Sequence, residues 1–138
     1  MIDRVLNPTS GRGLLHFIGR NRALPLNAWI RKRIFPGAYV PTLGEVADQV
    51  LEPWNLSILD VENLRLHYAK TIRHWRMRFD SAAERVTTMC DEQFTRAWRF
   101  YLAGSEAAFA TGWMQLFQVT FARSRTNQIP STRSVLYQ

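Results

Sequence analysis

Few side chains in this chain could do chemistry. His16 stands inside an apolar run, Gly13-Leu14-Leu15-His16-Phe17-Ile18-Gly19. An imidazole there needs a hydrogen-bonding reason, either as a buried histidine bonded to backbone or as part of a site. Tyr68 falls on an apolar helical stripe, and a phenol buried there still needs a partner for its hydroxyl. His67 and His74 lie seven residues apart on the same helix. Metal-ligand pairs on one helix stand closer in height, so these two are expected to be exposed. Cys90 precedes a helix start, where a thiolate is stabilised, but no base or second cysteine accompanies it. Gly11-Arg12-Gly13 precedes a strand rather than following one, the wrong context for a phosphate cradle. No serine elbow, HExxH pair or EF-hand loop is present.

The elements that must position these residues are legible in outline. Residues 1–11 read as a loop, with Asn7-Pro8-Thr9-Ser10-Gly11 rich in turn formers. Arg12 to Gly19 reads as a buried strand, Trp54 to Leu64 as a second and Trp113 to Arg123 as a third. Leu26 to Phe35 is a helix opened by Pro25 and ended by Pro36-Gly37. Thr42-Leu43-Gly44-Glu45 fits a capping box that starts a short helix from Leu43 to Leu51. Leu64, Tyr68, Ile72, Trp75 and Phe79 form one stripe at helical period, with Arg65, Lys70, Arg73 and Arg76 on the other face. A second long helix spans Asp91 to Thr111, with Phe94, Trp98, Leu102 and Phe109 on its buried side and Gly112 at its end. Thr126 to Gln138 reads as a polar tail over the surface. Three strands make a small sheet for so many helices.

The balance of residue types is that of a folded globular chain: 138 residues, 46% hydrophobic and 21% charged. One cysteine rules out an internal disulfide or a multi-cysteine zinc site. The longest uncharged run, Ala107 to Ala122, is 16 residues, short of the roughly 20 that a membrane span needs. A cytoplasmic chain is the expectation. The net charge of +7 implies an anionic partner of some kind: nucleic acid, phospholipid headgroups or an acidic protein.

Read in order, Gly13 to Gly19, Trp29-Ile30, Ile34-Phe35-Pro36-Gly37 and Val40-Pro41-Thr42-Leu43 resemble the cyclopropane-fatty-acyl-phospholipid synthases. The resemblance continues through Glu62 to Tyr68, Tyr101 to Phe109, Phe117-Gln118 and Ile129 to Arg133, and so covers nearly the whole chain. Phe17 departs from a common threonine, and Ala110 and Trp113 from polar residues around Gly112. The resemblance implies an α/β fold of class I methyltransferase (Rossmann-like) type. The chain would hold its C-terminal part, a three-strand partial sheet with the last strand antiparallel between the other two, plus a large helical insertion. Residues 1–138 would then be a single partial domain with 126–138 its tail. The family binds S-adenosylmethionine through a glycine-rich turn on earlier strands, and this sequence has none. No cofactor-binding residue is therefore expected within it.

The resemblance further implies methyl transfer to a cis double bond of a phospholipid acyl chain, with bound bicarbonate as the base. His16, the backbone N–H of Ile18 and Tyr68 match the family's bicarbonate site. Cys90 matches no site position, and Ser105 stands where some members have a cysteine. The chain alone is expected to be inactive, working with a complementing N-terminal half at the inner membrane surface. The alternative is a non-catalytic remnant that binds lipid or an anionic surface; a nucleic-acid binder ranks last for want of a motif. The first strand is expected to keep an unpaired edge, open to self-association.

Overall fold

β-Branched and aromatic residues bounded by glycines and turn formers build the sheet of this protein, whose computed structural model describes residues 2–133. Its strands are β1 (Arg12–Gly19), β2 (Leu56–Asn63) and β3 (Gln115–Arg123). The order is β1-β3-β2, with β3 antiparallel to both neighbours, as the resemblance implies. Met1 and residues 134–138 of the expected tail lie outside the described residues.

β3 is paired on both sides and mostly buried. Its Phe117, Val119 and Phe121 meet Leu51 and Leu56 in one core cluster, with Leu15, Phe17 and Val61 packed alongside. The rings of β3 can lie against β1 because two β1 positions lack a Cβ. One added at Gly19 would fall 2.8 Å from ring carbons of Phe117, and one at Gly13 would meet the ring of Phe121. On the opposite face Leu116 joins Ala69, Ile72, Leu102 and Phe109 from the helices.

β1 is not the buried strand that its apolar run suggests. It alternates between exposed and half-buried residues, because it is an edge strand and only its Ile18 end reaches the helix-side cluster. β2 starts at Leu56 rather than Trp54, which belongs to a short 3-10 turn, Glu52–Trp54. Its pairing with β3 shifts between Ile58 and Asp60, a bulge that adds one residue to the edge.

The helices are α1 (Ile2–Val5), α2 (Ala28–Arg33), α3 (Leu43–Val46), α4 (Arg65–Ser81), α5 (Ala83–Met89) and α6 (Glu92–Thr111). α1 is a single turn where a loop is expected. The capping box is present at α3: Glu45 N–H donates to Thr42 Oγ1 at 3.1 Å and Thr42 N–H to Glu45 Oε2 at 2.7 Å. The helix expected from Leu43 to Leu51 is α-helical only to Val46, then widens into a π turn over Ala47–Leu51.

α4 and α6 pack antiparallel across the sheet. Arg76 Nε and Arg73 Nε reach Glu106 at 3.0 and 3.4 Å, and Arg99 Nε reaches Asp80 at 2.6 Å. Arg65 crosses from the start of α4 to donate to Phe109 O and Ala110 O at 3.0 and 2.8 Å, satisfying carbonyls that the end of α6 leaves open. Gly112 follows at φ 85, the left-handed position that glycine occupies without strain. Phe94 is exposed rather than buried. Its neighbour Thr95 is buried instead, with Oγ1 2.9 Å from Thr87 Oγ1 of α5.

Candidate functional site: a polar strand end beside an apolar cavity

Side chains alternate across a strand, so Leu14, His16 and Ile18 share the face of β1 turned to α4 and α6. Cross-strand register sets His16 opposite Gln118 and Gln118 opposite Glu62, a polar row across all three strands. His16 is exposed, not buried, and its partner is a side chain rather than backbone. Gln118 Nε2 lies 3.0 Å from His16 Nδ1. An amide nitrogen only donates, so Nδ1 accepts and the neutral ring carries its proton on Nε2, free to donate.

The peptide of Ile18 follows from the ladder. Leu64 N–H donates to Leu116 O at 2.8 Å, so Leu116 turns its peptide groups toward the β2 side. Ile18, paired with Leu116, therefore turns its own N–H away from β3, to the open edge. Two residues on, Arg20 N–H points the same way and is taken by Pro41 O at 3.0 Å. No residue among those described plays that part for Ile18.

Tyr68 comes from the first turns of α4. Its ring packs edge-on against Trp75 and Phe109, with centroids 5.9 and 4.8 Å apart. Its hydroxyl has no hydrogen-bond partner among the described residues. Burial, with the Tyr101 phenol as a smaller cause, holds its pKa above the ordinary 10.0, so the hydroxyl keeps its proton. Ile18 and Tyr68 border the same helix-side cluster. The imidazole of His16 stands two residues further along β1 and is not part of that cluster.

A cavity of about 540 Å³ opens beside this strand end. Ile18, Trp29, Ile30, Tyr101, Ala108 and Phe109 contribute to its lining. The segment from residue 20 to α3 forms one wall. Arg20 pins it by donating to Leu24 O and Pro25 O at 3.1 and 3.0 Å. Trp29 and Phe35 then lock it onto α6 by edge-on contacts with Phe100 and Tyr101. Tyr39 closes the far side by donating to Glu45 Oε1 at 2.5 Å. Ser105 also lines this space. Only the aromatics scattered through residues 29–39 signal this wall in the sequence, and their target on α6 is a tertiary fact.

Cys90, His67 and His74 lie elsewhere and are exposed. The glycines among the described residues that lie in close contacts have structural uses. The close approaches at Gly13 and Gly19 are filled by this chain's own phenylalanine rings, and Gly112 caps α6.

Comparison with known proteins fits this architecture. The family profile described as mycolic acid cyclopropane synthetase matches residues 3–119. The chain is 34% identical over 134 residues to the cyclopropane-fatty-acyl-phospholipid synthase of Escherichia coli K12, covering 96% of this chain and 34% of that protein. It is 32% identical over 126 residues to a probable fatty acid methyltransferase of Pseudomonas putida, covering 89% of this chain and 32% of that one. The chain thus spans about a third of the length of these curated relatives. Among solved structures, the cyclopropane synthase MmaA2 of Mycobacterium tuberculosis superposes with a TM-score of 0.78 at 26% identity, over 88% of this chain and 47% of that one. The mycolic acid cyclopropane synthase CmaA1, solved in complex with SAH and CTAB, superposes with a TM-score of 0.73 at 25% identity, over 83% of this chain and 45% of that one. Strand order, helix packing and sequence agree: the chain belongs to the mycolic acid cyclopropane synthetase family and carries part of its class I methyltransferase fold.

Proposed function

We propose that this chain supplies the acceptor side of an S-adenosylmethionine-dependent methyl transfer to a cis double bond in a lipid acyl chain. It would form the C-terminal portion of the family's fold, a single partial domain with residues 126–138 as its tail, acting at the inner membrane surface. The observation that carries this reading is the cavity of about 540 Å³, walled by apolar and aromatic side chains and bordered by Ile18 of the polar strand end.

An alkene is a weak nucleophile, and its attack on a methyl donor leaves a carbocation that water would trap. Ile18, Ile30, Ala108 and Phe109 keep that space dry. Trp29, Tyr101 and Phe109 add ring faces whose quadrupole favours a developing positive charge. The Ile18 N–H, the Nε2–H of His16 and the Tyr68 hydroxyl are three donors without acceptors among the described residues, a set suited to a small anion. The resemblance makes that anion bicarbonate, which when bound would supply the base for the proton lost as the ring closes. His16 is held in the donating tautomer by Gln118. Tyr68 stays protonated through burial.

Two measurements test the reading. A fluorescent cis-polyene fatty acid should bind the purified chain, and Gly104→Phe should abolish binding. Gly104 lines the cavity, and a Cβ there meets nothing within 4 Å, so the larger side chain fills the space without disturbing α6. Undiminished binding by the variant would remove the cavity from the argument. Titration with S-adenosylmethionine should show no measurable binding to this chain alone; tight binding would overturn the acceptor-side assignment.

A further inference from the structure

The charge of this chain is not spread evenly. Residues 4–44 contain seven basic residues and no acidic one, so the remainder is balanced and the whole net charge of +7 arises in this stretch. The same stretch forms β1 and the cavity wall. Arg31, Lys32 and Arg33 occupy the last turn of α2, all exposed, beside Trp29 and Ile30, which line the cavity. Basic residues there are favourable to the helix, yet no ion pair among the described residues holds any of the three.

Around the same opening stand apolar side chains exposed to a degree unusual for their size. Phe100 is 68% exposed, Trp113 67%, Tyr39 57% and Phe35 48%, and all four line the cavity. Next to them Arg22 and Leu24 share a shallow depression with Trp113. Exposed aromatics in a continuous rim mark an interaction surface. Their interleaving with unpaired cations selects its partner.

Resting on the acyl-chain reading of the cavity, we infer that this rim is the membrane-docking face. Arg31, Lys32 and Arg33 bind anionic phospholipid headgroups while Phe35, Phe100 and Trp113 enter the acyl boundary, so that the cavity mouth opens directly onto the bilayer. Cations at headgroup depth beside aromatics at the interface are the arrangement by which amphipathic surfaces seat on anionic membranes. Such docking lets an acyl chain pass into the cavity without crossing water.

The test is co-sedimentation of the full chain with vesicles of phosphatidylglycerol and of phosphatidylcholine. Binding to the anionic vesicles alone is expected. The triple variant Arg31→Gln, Lys32→Gln, Arg33→Gln should weaken it roughly a hundredfold, from about one headgroup interaction per cation removed. A second triple, Arg78→Gln, Arg85→Gln, Arg96→Gln, has the same net charge but alters α4, α5 and α6 away from the rim, and should retain most of the affinity. Equal loss in the two triples, equal binding to both lipids, or binding to an acidic polypeptide but to neither vesicle would overturn the inference. The fluorescent fatty acid should still enter the α2 variant. Fatty-acid binding without vesicle binding would therefore sink the docking face and leave the acyl cavity standing.

Discussion

The proposed site rests on an imidazole, a peptide N–H and a phenol, and each is available for a different reason. His16 donates because Gln118 occupies its other nitrogen, Ile18 because its peptide faces an unpaired edge, and Tyr68 because its hydroxyl has no partner among the described residues. Tyr68→Phe should therefore leave the fold almost untouched at neutral pH, while reducing methyl transfer about 10²-fold in a preparation competent for turnover, the usual cost of one lost donor to an anion. Stability measured against pH separates the roles further. The folded state holds the Tyr68 proton more firmly than the unfolded chain does, so this residue costs nothing below its ordinary 10.0 and destabilises as pH rises through the elevated value. Thermal melts of the Phe variant should lose that alkaline decline. His16 was legible as a residue needing an explanation, but its exposure was not. That depends on β1 being an edge strand, which a run of apolar residues does not reveal.

At the level of elements, local signals performed well wherever the relevant partners lie close in sequence. The capping box at Thr42 and Glu45 is an example, and Thr42→Ala should cost about 1 kcal/mol in chemical denaturation. Backbone donation from Thr42, followed by the Tyr39 hydroxyl, depresses the Glu45 pKa. Its contribution should be full above the ordinary 4.5 and lost as pH falls through the lowered value, so Glu45→Ala and the parent should converge in melting temperature on acidification. In α6, Gly104→Ala should stabilise by about 0.5–1 kcal/mol, because it relieves glycine's entropy cost within a helix. The three strands fall within two residues of the bounds that run length, flanking turn formers and residue type give, and the helical-period stripe from Leu64 to Phe79 falls on α4. What escaped the sequence was set from far away. Arg65 caps a helix end 44 residues later, and the burial of Thr95 in place of Phe94 depends on Thr87 of a neighbouring helix. The π turn at Ala47–Leu51 keeps a helical pattern while changing its pitch, so periodicity does not announce it.

For the molecule as a whole, the decisive features are an unpaired sheet edge and a one-sided charge. The β1 edge is bridged only at Arg20, to Thr42, among the described residues. Exposed Leu14 lies along the open part. Analytical ultracentrifugation should show self-association rising with concentration, and Leu14→Lys should suppress it, since an edge lysine blocks strand addition. A monomer at all concentrations would mean that the edge is shielded. The three-strand sheet, odd for so many helices, becomes intelligible as part of a longer family fold, because the chain matches under half of each cyclopropane synthase structure.

The order β1-β3-β2 carries one more consequence, for how the molecule is made. The first two strands never touch through hydrogen bonds; the last joins them, and it ends at Arg123. These three strands cannot join until β3 has been synthesised, so β1 and β2 stay unmated while α4, α5 and α6 emerge ahead of it. Loss of even the final strand in a premature stop would leave α4 and α6 without the floor on which they pack, and such a product should be cleared by proteolysis rather than accumulate as a smaller folded species.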